Sequence, residues 1–239
     1  MTSRLAAPRV LGLAAVLVVI AQGSSCGRTE PAAREPTRTA GVGDAGAAAA
    51  APTGAPADSV ARGTADRARV RGDSGAGAWM VMVSDFQCPY CKMWHDSTEG
   101  SIEREYVRTG KLRLAYVNFP LPSHKNAWPA AEVAMCAGAQ GKFWAMHDAL
   151  FAEQARWSRL GSPEAFFDTL AVRAGVDSGA LRRCVSSGVM RPLIQADFDR
   201  SSSAGINSTP TFIVGDSVIE GAYPVARFRT VIDAALAKK

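Results

Sequence analysis

Histidine and cysteine are scarce, with three and five residues in a chain of 239. The three histidines show no metal-ligand spacing, so no metal is assigned. Five cysteines are too few for a small disulfide-stapled scaffold, and a chain of this length does not need one. No apolar run reaches the ~18 residues of a membrane-spanning helix. Collagen, coiled coil and polytopic membrane protein are excluded on pattern. The charge balance, 27 Lys+Arg against 22 Asp+Glu, contains no concentrated basic block, so a pI near 9.1 gives no ground for a nucleic-acid partner. The cysteine count is odd, so at least one cysteine stands outside any internal pairing.

The composition divides the chain. Arg4 and Arg9 precede an apolar run from Leu11 to Ala21, and the small residues Gly23, Ser24 and Ser25 lead to Cys26. This is the layout of a signal peptide over residues 1–25. Two processing outcomes stand. Cleavage after Gly23 releases a soluble protein. Alternatively, Ser24-Ser25-Cys26-Gly27 resembles a lipobox, with Gly23 where leucine is usual, and Cys26 takes the lipid. Both place the protein outside the cytoplasm, in the bacterial periplasm or cell envelope, where disulfides persist. Residues 26–68 are rich in Ala, Pro, Gly and Thr, and from Thr29 to Ala68 there is no Leu, Ile, Met or aromatic residue. Such a stretch buries too little apolar surface to offset its ordering entropy, and it is expected to be a disordered tether reaching roughly 35 Å.

Residues 69–239 carry the periodicities of a folded domain. Trp79-Met80-Val81-Met82-Val83 is a buried-strand pattern, and Cys88-Pro89-Tyr90-Cys91 follows at the start of a helical region that Gly110 ends. Leu112–Val117 predicts a second strand. Residues of about 126–203 read as a series of amphipathic helices, with stripes such as Ala130, Val133, Ala134, Ala137 and Phe143, Met146, His147, Leu150. Thr211–Val214 and Val218-Ile219 flank a Gly215-Asp216 hairpin turn, and Pro224 opens a last helix. Strand, helix, strand, helical insertion, hairpin and helix together predict an α/β thioredoxin-like fold with an inserted helical subdomain.

The chemistry is expected at Cys88 and Cys91. At a strand-to-helix junction, unpaired N–H groups and the helix dipole favour a thiolate at the first cysteine. Cys88 is therefore the nucleophile, and Cys91, one turn on, the resolving cysteine. Pro89 and Tyr90 tune the pair, and Lys92, four residues after Cys88, is expected to add positive potential. A zinc ribbon would need a second Cys-x-x-Cys, and a c-type haem site a histidine where Lys92 stands. A purely structural local disulfide is the remaining alternative.

Three segments, Ser84–Cys91 (SDFQCPYC), Ala137–Trp144 (AGAQGKFW) and Ser208-Thr209-Pro210-Thr211-Phe212, closely resemble the DsbA-like thiol-disulfide oxidoreductases. The resemblance spans about Trp79 to Leu236. It implies a cis bond between Thr209 and Pro210, with Pro210 facing the cysteine pair and the Thr209 backbone pairing with an extended substrate segment. It implies protein substrates bearing cysteines, a membrane redox partner and no cofactor. Two features depart from the family. The buried acid common six residues before the first cysteine is replaced by Met82, leaving Asp85 or water to move the proton. The dipeptide is Pro89-Tyr90, not the Pro-His of strongly oxidising members.

Cys136 and Cys184 fall on helices of the insertion. In an exported protein a structural disulfide is expected, two buried thiols being the alternative. His95 is read as a surface helix position, His124 as a loop residue and His147 as part of an apolar helix face. The function predicted is exported disulfide exchange, as an oxidase. A reductase or isomerase, or a substrate-binding module with an inert Cys88–Cys91, are the competing readings.

Overall fold

The computed structural model describes residues 56–238. The first helix, α1 (Pro56–Ala68), precedes a two-residue strand β1 (Val70–Arg71) and the long strand β2 (Ala78–Ser84). A helical rod then runs from α2 (Pro89–Trp94) through a π-helical turn (His95–Glu99), α3 (Gly100–Ile102) and a second π-helical turn (Glu103–Val107). Strand β3 (Leu112–Asn118) follows. The insertion comprises α4 (Ala127–Gly138), α5 (Phe143–Ala152), α6 (Gln154–Trp157), α7 (Glu164–Arg173), α8 (Ser178–Ser187) and α9 (Arg191–Ser203). The chain closes with β4 (Thr211–Val214), β5 (Ser217–Glu220) and α10 (Val225–Ala237). This is the thioredoxin-like α/β architecture with its helical insertion.

The sheet order is β1-β3-β2-β4-β5. β2 and β3 are parallel, in register from Ala78 opposite Leu112 to Ser84 opposite Asn118, and the helical rod is the crossover that a parallel pair requires. β4 and β1 add antiparallel on either side, and β5 completes the hairpin. Register puts Met80, Met82 and Ser84 on one face with Leu114, Tyr116 and Phe212. That face is buried, and α2, α5 and α10 rest on it: Trp94 packs at 4.6 Å from Phe212, Phe212 at 4.8 Å from Phe228, and Tyr116 at 5.3 Å from Phe143. Trp79 stands on the opposite face, exposed, under the Arg113 guanidinium at 4.4 Å.

The structure corrects the expected tether over residues 56–68, which form α1. Alanine favours helix, and close contact between small residues supplies the packing that large side chains would otherwise give. Ala65 is fully buried, and a Cβ on Gly138 of α4 would meet its backbone at 3.3 Å. Arg69, just beyond the helix, is buried and bridges Asp66 to the fully buried Asp197 of α9. Residues 1–55, with the expected signal segment, Cys26 and the rest of the tether, lie outside the described residues. Strand β1 was not foreseen; two residues carry no readable period. It docks because Gly72, at φ +105, lets the backbone close onto Leu112, whose carbonyl oxygen would lie 2.5 Å from any Cβ there. Among the described residues, no helix is long and apolar enough to cross a membrane.

Candidate active site

Cys88 is the N-cap of α2, in extended conformation, and Pro89 occupies the first turn, where its missing N–H is not needed. The segment before it is held by side-chain amides. Gln154 donates to the carbonyls of Phe86 at 2.7 Å and Cys88 at 2.9 Å. Gln87 accepts from the Asn126 N–H at 2.7 Å and donates to the Ser158 carbonyl. Phe86 stacks on Tyr116 at 4.9 Å, fixing the loop to the sheet from within.

Both sulfurs are free thiols and buried. They differ electrostatically. The Cys91 thiol, donating to the Cys88 sulfur, pulls Cys88 down most strongly. Burial opposes it, and the Thr209 side chain and the N–H groups of Cys91 and Tyr90 assist, bringing Cys88 to about 6. Burial pushes Cys91 well above the usual thiol value, and the neighbouring Cys88 adds to this. The Cys88 sulfur also lies 3.4 Å from the Thr209 carbonyl oxygen, and the Thr209–Pro210 bond is cis. The pair and the 209–210 turn, 121 positions apart, thus form one corner of the molecule.

A shallow hollow of about 420 Å³ opens beside this corner, lined by Tyr90, Met93, Thr209, Gly221 and Tyr223. Tyr90, Met93 and Tyr223 are each about half exposed, which leaves an apolar surface next to the nucleophile.

One expected supporting residue, Lys92, is placed differently. Lys92 does not face Cys88. Its Nζ donates to the Phe151 carbonyl and pairs with Asp96, each at 2.9 Å. The last-turn carbonyls of α5 lack intrahelical partners, so they draw the cation away. Asp85 lies past the end of β2 yet is buried. Its carboxylate accepts from the N–H groups of Gln87 at 2.7 Å and Leu121 at 2.9 Å, and meets His124 Nδ1 at 2.7 Å. That hydrogen bond, with the Asp85 and Cys88 charges, holds His124 above its ordinary value despite partial burial. His124 is therefore a site residue on the loop before α4, and no spacing signal links it to Asp85.

Met82 is buried on the sheet face that α2 covers. Cys136 and Cys184 are joined at 2.04 Å, tying α4 to α8. His147 is fully buried. Its Nδ1 lies 2.8 Å from Asp148 Oδ1, and His95 Nε2 lies 3.5 Å from the same oxygen. Burial pushes Asp148 up, but these two hydrogen bonds outweigh it and hold the carboxyl well below the carboxylate range. The three offer ligand atoms within 4.8 Å of one another; Asp148 meets both rings, while the buried His147 Nε2 has no hydrogen-bond partner.

Residues 64–234 match the family described as Thioredoxin. The Na(+)/H(+) antiporter NhaA 1 of Salinispora arenicola is 30% identical over 176 residues, covering 72% of this chain and 25% of its own length. The chain thus spans about a quarter of the antiporter relatives it matches. Among solved structures, oxidised BdbD from Bacillus subtilis matches with a TM-score of 0.65 at 22% identity, over 71% of this chain and 92% of that one. The α-DsbA1 of Wolbachia pipientis matches at 0.64 and 22%, over 71% and 91%. These two show the same fold.

Proposed function

The chain belongs to the thioredoxin family, and from that premise we propose that it is an exported protein thiol-disulfide oxidoreductase acting as an oxidase. The observation that carries the reading is the asymmetry of the dithiol: Cys88 drawn down to about 6 at a helix start, Cys91 buried and held high. In the oxidised protein a substrate thiolate attacks Cys88. A sulfur–sulfur bond forms between them, the Cys88–Cys91 bond breaks, and Cys91 leaves as a thiolate. The substrate's second thiolate then attacks the substrate sulfur of the mixed disulfide and expels Cys88. The substrate is oxidised, the enzyme is reduced, and Cys91 takes up a proton. Reoxidation requires an electron acceptor, which in the cell envelope would be a membrane redox partner.

Substrates would be unfolded protein segments bearing cysteines. Tyr90, Met93 and Tyr223 supply apolar contact beside Cys88, and the 209–210 turn offers backbone for strand-like pairing. Export rests on the Arg4–Cys26 segment and on the Cys136–Cys184 bond, which suits an oxidising compartment. Lipid on Cys26 would hold the domain at the membrane.

One observation favours the reductase or isomerase direction as a second reading. A thiol at about 6 is closer to thioredoxin's, about 7, than to that of DsbA, about 3.5. The test is reaction of the oxidised protein with a reduced two-cysteine peptide. The expected result is a peptide disulfide, with Cys88→Ala and Cys91→Ala both inert toward the reduced peptide and Cys91→Ala trapping a mixed disulfide when its Cys88 thiolate attacks the oxidised peptide and expels one peptide thiolate. Full activity in Cys88→Ala would overturn the catalytic reading in favour of a binding module.

A further inference from the structure

Cys91 must bear a negative charge at the moment it leaves Cys88, and it does so in the interior, on α2, over the sheet face that carries Met82. No carboxylic acid stands at Met82, and the Asp85 carboxylate is committed to Gln87, Leu121 and His124. Lys92 is turned to α5. A buried charge without a partner is costly, so some group must meet it.

Two hydroxyls on this face have no hydrogen-bond partner of normal geometry: Ser84 Oγ and Tyr116 Oη. Both residues are about 99% buried. Ser84 ends β2, and Tyr116 lies opposite Met82 in the parallel register, so both side chains project toward the helix that holds Cys91. An unsatisfied buried hydroxyl is destabilising, and two on one sheet face call for an explanation. We infer that Ser84 and Tyr116 are the donors that receive the Cys91 thiolate, Ser84 by hydrogen-bonding its sulfur and Tyr116 by hydrogen-bonding Ser84, in place of an acid at Met82.

The electrostatics agree with this placement. The Ser84 hydroxyl and the Asp85 N–H are the groups that favour the Cys91 thiolate, and the Ser84 hydroxyl likewise acts on Tyr116. Burial, and then the Cys91 charge, push the Tyr116 phenol well above its usual value, so it keeps its proton and stays a donor. Neither hydroxyl gives up a proton in the exchange. They hold the charge until Cys91 is protonated, while the electron pair and the sulfur–sulfur bonds move as described above. In the resting dithiol the same hydroxyls are left idle, which accounts for their missing partners.

The inference rests on the oxidoreductase reading. The test is the rate at which glutathione opens the Cys88–Cys91 disulfide of the oxidised full chain, the step in which Cys91 leaves. Tyr116→Phe and Ser84→Ala are compared with the wild type, with melting temperature and the Cys88 titration as parallel readouts. A wild type that glutathione never opens defeats the oxidoreductase reading itself. Given a reactive wild type, Ser84→Ala should be about 10- to 100-fold slower, the range for losing a hydrogen bond to a charge, and Tyr116→Phe about 3- to 10-fold slower, since its hydroxyl acts through Ser84. Each should melt at or above the wild-type temperature, because it removes a hydroxyl unsatisfied at rest. The Cys88 midpoint should stay near 6, since neither side chain is among the groups that set it. Rates within twofold of wild type, or slowing that comes with a lower melting temperature, overturn the inference.

Discussion

The Cys88 sulfur and the Thr209 carbonyl oxygen lie 3.4 Å apart, which suits a thiol donating to a carbonyl. A thiolate cannot donate. For that form the available partner is the Thr209 hydroxyl, which is buried and has no other hydrogen bond. Thr209→Val should therefore raise the Cys88 titration by about one unit from its value near 6, the equivalent of about 1.4 kcal/mol. Thiolate absorbance against pH measures it.

The same depression links reduced-state stability to pH. The folded value, about 6, is below that of an unfolded thiol, about 8.5. Stabilisation from Cys88 is then fully present above the unfolded value and lost as pH falls through about 6. Denaturant midpoints of the reduced protein, relative to the oxidised protein, should fall between pH 9 and pH 5.

The Asp85–His124 contact works in the opposite sense. His124 is raised in the folded state, so its contribution is complete below the unfolded histidine value, about 6.5, and disappears as pH rises through the folded one. His124→Ala should destabilise the protein more at pH 5.5 than at pH 9. Asp85 would retain its two backbone donors in the variant, so the loop should keep its path. Equal destabilisation at both pH values would show that the contact carries no charge dependence.

Gln154→Ala removes two hydrogen bonds at the entrance to α2, taking this donor from the Phe86 carbonyl and leaving the Cys88 carbonyl with the Lys92 N–H alone. A loss of about 1–3 kcal/mol is expected in chemical denaturation. The rate of Cys88 alkylation should change with it, since the Cys88 carbonyl is one of the two acceptors.

Cys184→Ala opens the link between α4 and α8. The 48-residue separation gives about 4 kcal/mol by loop-closure entropy, as an upper figure. Thiol counting before and after unfolding is the companion check: in the wild type only Cys88 and Cys91 should label in the reduced native domain.

Much of the fold was legible because it rests on local signals. Periodicity marked β2, β3 and the insertion helices, the Gly215-Asp216 turn marked the last hairpin, and the Cys-Pro-Tyr-Cys junction marked where the helix begins. Signals fail where partners are remote. α1 looked like a tether because its packing uses Ala65 against Gly138 and an ion pair between Arg69 and Asp197, 128 positions apart. Lys92 was expected at Cys88 from helical spacing, but a long side chain follows the nearest unsatisfied carbonyls. Gln154, His124 and Tyr116 come from separate elements and no motif marks them; Ser84 opens the Ser84–Cys91 segment, but nothing local assigns it a role.

The reduction potential, from equilibrium with glutathione buffers, tests the central claim most directly. A Cys88 thiolate stabilised at pH 7 favours the reduced dithiol and makes the disulfide a stronger oxidant. The account predicts a value between thioredoxin's, about −270 mV, and that of DsbA, about −120 mV. A value at or below about −270 mV would contradict the oxidase reading, and the absence of any exchange with glutathione would contradict the oxidoreductase itself.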